Sequence, residues 1–175
     1  MTNPALSGED RATLIAGARL LQQNQAKEAE ALLEPLYVRY PDDADVAGNL
    51  GGAYILQRKW KKAVDVLSAA TEAHPDNAML WTNLAAAELG SLETAGPQHQ
   101  ERAIAAYTRA LEADPATPNA HYHLGLIHKE RGELDAAEAM FQRALEINPG
   151  DRDAAHWLQR IQQVIEQAED DSTHA

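Results

Sequence analysis

The side chains with the greatest chemical reach in this chain are three histidines, His121, His123 and His128, and two asparagines, Asn49 and Asn83. Neutral imidazoles are ordinary zinc ligands, and His121 and His128, seven residues apart, share one face of any helix that carries both. No carboxylate stands at the spacing of a helical zinc motif, and the chain has no cysteine to complete a thiolate site. A metal reading therefore rests on His121, His123 and His128 alone. Asn49 and Asn83 stand 34 residues apart. Each amide is both donor and acceptor, so the pair can hold the backbone of an extended peptide whatever its sequence. The competing reading is that these amides brace a neighbouring helix. Glu88 is the remaining oddity, a carboxylate at a packing position that could meet His121 or His128 as a buried pair. No nucleophile with an adjacent base and no phosphate-cradling glycine loop is found, so catalytic residues, cofactor and metal ligands are all expected to be none.

The elements that position these groups are set by a period. Pro41, Pro75, Pro115 and Pro149 follow one another at 34, 40 and 34 residues, each 12 residues after an alanine of the set Ala29, Ala63, Ala103 and Ala137. A fixed period in this range marks a stacked repeat. With each proline at position 32, the units run 10–43, 44–77, 78–117 and 118–151, the third carrying six extra residues. Position 8 reads Gly17, Gly51, Ala85 and Gly125; position 24 reads Leu33, Leu67, Tyr107 and Phe141.

This pattern predicts a helical hairpin per unit. Apolar residues in the first half follow a 3.6-residue period. Position 8 is small so that the second helix can cross closely, and the position-20 alanine serves the same approach from the other side. The proline ends the second helix, having no N–H and forcing its predecessor out of the helical region. Asp43, Asn77 and Asp151 are then N-caps for the helices after them.

The pattern resembles the tetratricopeptide repeat, through Leu124-Gly125, Ala137, Phe141, Ala144 and Pro149 in the fourth unit and Leu50-Gly51, Tyr54, Ala63 and Pro75 in the second. The third keeps Trp81 and Leu84, and the first is the most degenerate, as suits a terminal unit. The resemblance covers residues 10–151. It implies an all-α, right-handed superhelical solenoid of four hairpins, followed by a capping helix over 152–168 with the apolar stripe Trp157, Leu158, Ile161 and Ile165. An N-terminal tail of residues 1–9 and a disordered acidic tail of residues 169–175 complete the expected organisation.

In proteins of this family the first helices line a concave groove that takes peptides. Carried over position by position, the groove is expected to present Asn49, Gly52, Met79, Asn83, Tyr122, His123, Leu126 and Trp157. Gly48, Gly52 and Ala86 leave room there for an amphipathic helix or an apolar peptide. The clamp by which some members hold a carboxylate terminus is absent: its positions read Leu14, Ala18, Met79 and Asn83. The inserted segment 90–100 is either functional or tolerated drift, and its two glycines and proline suggest a shaped loop or a longer first helix rather than a floppy linker.

Charge narrows the partners. Fifteen Lys and Arg against 27 Asp and Glu give a net charge of −12, which opposes binding to nucleic acid and favours a basic or amphipathic protein partner. No stretch has the length of apolar residues that a membrane span needs, and the first residues show no signal-peptide pattern, so a cytoplasmic protein is expected. The functional expectation is a non-catalytic adaptor or assembly factor, monomeric or weakly self-associating. The alternative is a structural scaffold that self-associates through the cap helix or the groove.

Overall fold

In the computed structural model the first three hairpins begin at a side-chain cap, and every hairpin ends ahead of a proline. The structure describes residues 5–173, with side chains to residue 168. The helices are α1 (Gly8–Gln22), α2 (Ala26–Arg39), α3 (Ala44–Leu56), α4 (Trp60–Ala73), α5 (Ala78–Leu89), α6 (Pro97–Ala113), α7 (Ala120–Glu130), α8 (Leu134–Ile147) and α9 (Arg152–Thr173), with a short 3-10 turn at Leu92–Thr94. The Asp43 carboxylate accepts from the amides of Asp45 and Val46, Asn77 from Met79 and Leu80, and Asp151 from Asp153 and Ala154. These bonds satisfy N–H groups that a first turn otherwise leaves unpaired. The second helices stop at Arg39, Ala73, Ala113 and Ile147, two residues before their prolines. Among the described residues the fold is all-α.

Close approach explains the small residues. A Cβ on Gly17, Gly51 or Gly125 would stand within 2.8 Å of Leu33, Leu67 or Phe141 respectively. Position 8 thus faces position 24 of its own hairpin, and the glycine is what lets the large partner cross. The four alanines at position 20 are fully buried, as are Leu33, Leu67 and Phe141, while Tyr107 is 1% exposed.

The chain divides into two compact units, Met1–Pro115 and Ala116–Ala175. In the first, α1 packs on α2, α3 on α4 and α5 on α6. Successive first helices also touch (α1 with α3, α3 with α5), and each second helix meets the first helix of the next hairpin (α2 with α3, α4 with α5). Its outer end is closed by Asp10, which accepts from the Tyr40 hydroxyl at 2.7 Å and pairs with Arg39 at 2.6 Å. In the second unit α7, α8 and α9 pack in sequence around Ala137, Phe141, Ala144, Ala154 and Ile161.

Two features depart from the sequence reading. The final helix continues to Thr173, where an acidic tail without structure was expected from residue 169; residues 174–175 lie outside the described residues, as do residues 1–4 of the N-terminal tail. Helix α9 therefore keeps its helical hydrogen bonding through the acidic run. The insertion is shaped, as its glycines and proline suggest, but it lengthens the second helix of its hairpin where a longer first helix was expected: α5 has 12 residues. α6 has 17 residues where α2, α4 and α8 each have 14, so part of the added length extends the helix backwards from Pro97. Proline at the first helical position fits because its missing N–H has no partner to lose there.

Candidate functional site

The repeat brings four of the eight expected groove residues around one hollow of the first unit. Asn49 and Gly52 from α3 and Met79 and Asn83 from α5 line a cavity of ≈ 290 Å³ together with Leu21 and Leu80. Its floor is low because a Cβ on Gly48 would come 3.3 Å from Leu80, and one on Gly52 3.8 Å from Leu21. The Met79 side chain is 58% exposed beside it. Asn49 Nδ2 donates to the Asp45 carbonyl of its own helix at 2.7 Å, while Asn83 Nδ2 lies 3.5 Å from the Gly48 carbonyl of the preceding first helix. One N–H of each amide is thus engaged within the fold. Each retains a second N–H and its carbonyl oxygen, which is the chemistry a peptide backbone meets. Asp45 adds an exposed carboxylate to the rim.

The other four lie in the second unit, where the structure gives them packing work. Tyr122 meets Phe141 edge-on at 5.8 Å and His123 at 5.6 Å. Tyr122, Leu126 and Trp157 are half-buried against the Phe141 cluster. Burial raises the Tyr122 phenol above its usual range, and the Asp153 carboxylate adds to the effect. Burial lowers His123 below the usual imidazole value, favouring the neutral ring. Lys129 Nζ sits 4.3 Å from the Trp157 ring centroid, so this chain's own cation occupies that aromatic face.

The remaining chemical candidates resolve into local pairs. Glu88 pairs with Arg102 at 2.6 Å, and His128 Nδ1 lies 2.6 Å from Glu133, in place of the Glu88–histidine contact that the sequence suggested. Both partners lie within the residue's own hairpin, near enough in sequence to win over any distant group. Among the described residues no three His, Cys, Asp or Glu side chains gather as a metal-binding set. The three histidines on α7 therefore find no support as a metal centre.

Sequence reasoning passed over a second, larger hollow of ≈ 850 Å³ on the edge of the first unit. It is lined by residues of the basic run Arg58-Lys59-Trp60-Lys61-Lys62 and by residues of α5 and α6 next to the insertion. The run itself, dense in cations within an acidic chain and centred on a tryptophan, was the available signal.

Comparison with known proteins adds family and fold to this geometry. Two family models described as Tetratricopeptide repeat match residues 20–87 and 98–152. The peroxisomal targeting signal receptor of Candida albicans is 32% identical over 124 residues, 71% of this chain and 19% of that protein. The human mitochondrial import receptor subunit TOM70 is 23% identical over 133 residues, 76% of this chain and 21% of that protein. The chain thus spans only about a fifth of the length of these relatives. A solved tetratricopeptide protein of Thermus thermophilus superposes with a TM-score of 0.75 at 19% identity, covering 89% of this chain and 82% of that one. MamA of Desulfovibrio magneticus does so with a TM-score of 0.68 at 20% identity, covering 82% and 77%. At these identities the two structures speak for the fold alone.

Proposed function

This chain belongs to the tetratricopeptide repeat family, and we propose that it is a non-catalytic adaptor or assembly factor that holds a segment of a protein partner on the faces of its first helices. The observation that carries the reading is the hollow between α3 and α5, which gathers Asn49, Gly52, Met79 and Asn83. Amide groups with spare donors and acceptors, an exposed thioether and a low apolar floor suit a peptide held by its backbone and one apolar side chain. The Asp45 carboxylate at the rim and the net charge of −12 favour a basic or amphipathic segment. Tyr122, His123, Leu126 and Trp157 offer their outward edges as a corresponding surface on the second unit. Relatives bearing the names of a targeting signal receptor and an import receptor are in keeping with protein recognition.

No described helix is long and apolar enough to cross a membrane, and we read the protein as cytoplasmic, without cofactor or nucleic-acid ligand. The test is to recover partners by affinity capture, express the captured segment, and titrate it calorimetrically. Asn49→Ala with Asn83→Ala is expected to weaken binding by about tenfold while helical circular dichroism is unchanged. Undiminished binding to that variant and to Tyr122→Ala would remove the groove from consideration.

A specific feature favours a second reading. On α9, Ile161, Leu158 and Ile165 are taken up by the Phe141 cluster, and Val164, 49% exposed, is the residue through which a scaffold reading would have the cap helix self-associate. Light scattering separates the readings: a dimer that Val164→Glu dissolves supports the scaffold, and a monomer at micromolar concentration counts against it.

A further inference from the structure

The hollow on the edge of the first unit is built differently from the groove. Five of the fifteen Lys and Arg of this acidic chain line it, against two carboxylates, Asp65 and Glu88. Three of the five cations are matched: Lys59 with Glu30 at 2.6 Å, Lys62 with Glu34 at 3.0 Å, and Arg102 with Glu88 at 2.6 Å. Arg58 and Lys61 are exposed at the rim. Arg58 feels the Glu93 carboxylate of the insertion at longer range, and neither cation has a carboxylate at ion-pair distance among the described residues. The apolar lining of the hollow is Trp60, Val64 and the buried Ala87. Trp81 donates its indole N–H to the Pro75 carbonyl at 2.8 Å. Trp60 lines the hollow, and no described residue accepts a hydrogen bond from its Nε1.

The insertion completes the far wall. Gly90 lies against the Trp60 ring, its notional Cβ 3.6 Å from the indole nitrogen. The backward extension of α6 brings in His99, whose Nδ1 is 3.0 Å from both the Glu88 carbonyl oxygen and Arg102 Nη2. The hollow therefore owes one wall to the basic turn of the second hairpin and the other to the added residues of the third.

Arg58 carries a further mark. Its backbone is left-handed, φ 57°, at the turn position where the first hairpin has Asn24 and the fourth Gly132. Asparagine and glycine tolerate this conformation and arginine does not favour it. A long cation is held at a place where the backbone prefers a small residue.

We propose that this edge hollow is a second binding site, one that takes an acidic peptide segment with an apolar or aromatic anchor. The anchor seats against Trp60 and Val64, a peptide carbonyl accepts from the indole N–H, and flanking Asp or Glu side chains meet Arg58 and Lys61. A net charge of −12 on the whole chain repels a long phosphate backbone, whereas a short acidic segment interacts chiefly with the local cations within one screening length. The site faces away in chemistry from the groove, which carries amides and a carboxylate, so one chain can hold two partner segments of opposite charge.

The full 175-residue chain is immobilised and panned with a displayed library of random short peptides, with a short poly-uridine RNA measured in parallel. The expected result is enrichment of Asp- and Glu-rich sequences with an apolar residue, whose affinity falls as salt rises. Arg58→Glu with Lys61→Glu, both at exposed positions, is expected to lower their affinity at least about tenfold. Trp60→Phe, which keeps an aromatic face but removes the N–H and part of the ring area, gives a smaller loss. The Asn49→Ala and Asn83→Ala pair leaves it unchanged, which distinguishes failure here from failure of the groove reading. The proposal is overturned if no acidic sequences are enriched, if the charge-reversed variant binds them as well as the parent chain does, or if the RNA binds more tightly than the peptides.

Discussion

Asn83 reaches back from α5 to place its Nδ2 3.5 Å from the carbonyl oxygen of Gly48 on α3. The contact joins successive hairpins through the floor of the same hollow that a partner is proposed to enter. Asn49, one repeat earlier, turns instead to the Asp45 carbonyl of its own helix. Side chains at equivalent repeat positions thus have unequal duties. Asn83→Ala is expected to lower stability by about 0.5–1 kcal/mol, the usual net worth of one such bond, with Asn49→Ala costing less. Urea unfolding of the two single variants measures the difference, and equal costs would deny Asn83 its bracing role.

Gly51 and Leu67 make a second testable pair, since a Cβ on Gly51 would stand 2.6 Å from Leu67 Cγ. Both are buried, so neither can swing aside. Gly51→Val is expected to cost about 1–3 kcal/mol by overpacking. Leu67→Ala alone costs about 2–5 kcal/mol through the cavity it leaves. Because the new methyl groups fill that cavity, the double variant should lose less than the sum, as a double-mutant cycle in denaturant will read.

The left-handed backbone at Arg58 predicts a stability gain on replacement. Arg58→Gly should stabilise the first unit by about 0.5–1 kcal/mol, by analogy with Gly132 in the fourth hairpin. Calorimetric melting tests it. A gain in melting temperature together with lost acidic-peptide binding would show that the arginine is kept for its side chain.

Acid should loosen the first unit through its carboxylates. The Tyr40 and Ser7 hydroxyls and Arg39 hold Asp10 below its usual range. Burial alone would raise Glu30, but Lys59 and Gln57 outweigh it, and Tyr54 and Lys62 lower Glu34. A carboxyl with a depressed folded pKa contributes stability that is present above its unfolded value, about 4. That stability is lost as pH falls through the folded value. Thermal melts are expected to fall steeply below about pH 4. Asp10→Asn should lower the melting temperature at neutral pH and flatten the decline, and a variant with the parental slope would contradict this assignment.

The second unit has its own titration. Burial depresses His123, so the folded state favours the neutral ring while the unfolded chain takes a proton near pH 6.5. Stability is therefore full above that pH and declines as the solution is acidified. His123→Gln is expected to remove part of the fall in melting temperature between about pH 7 and pH 5. Tyr54 acts at the other extreme: burial and the bond to Glu34 raise its phenol, so stability wanes as pH climbs past about 10.

The one-dimensional pattern reached a long way into this structure. Proline at position 32, glycine at position 8 and the capping Asp43, Asn77 and Asp151 act through bonds and contacts no more than a hairpin away. Their consequences were readable because local geometry fixes them. Helix α9 ran past its expected end because acidic composition alone does not stop a helix that has no breaker in it. Glu88 chose Arg102 and His128 chose Glu133 because partners within one hairpin come close whatever the longer-range packing does.

What tertiary structure alone decided was which side chains share a space. Asn49 and Met79 lie 30 positions apart yet line one hollow, because α3 and α5 stack as successive first helices. Trp157 and Tyr122, read from the pattern as open surface, are half-buried because α9 closes over the Phe141 cluster and leaves Lys129 on the indole face. The edge hollow needed the packing of α4 against α5 to set Trp60 beside Gly90. The His121, His123 and His128 spacing that first suggested a metal centre shows the converse. Sharing a helix puts residues on nearby faces, but only the surrounding packing decides whether enough ligating groups gather, and among the described residues no set of three does.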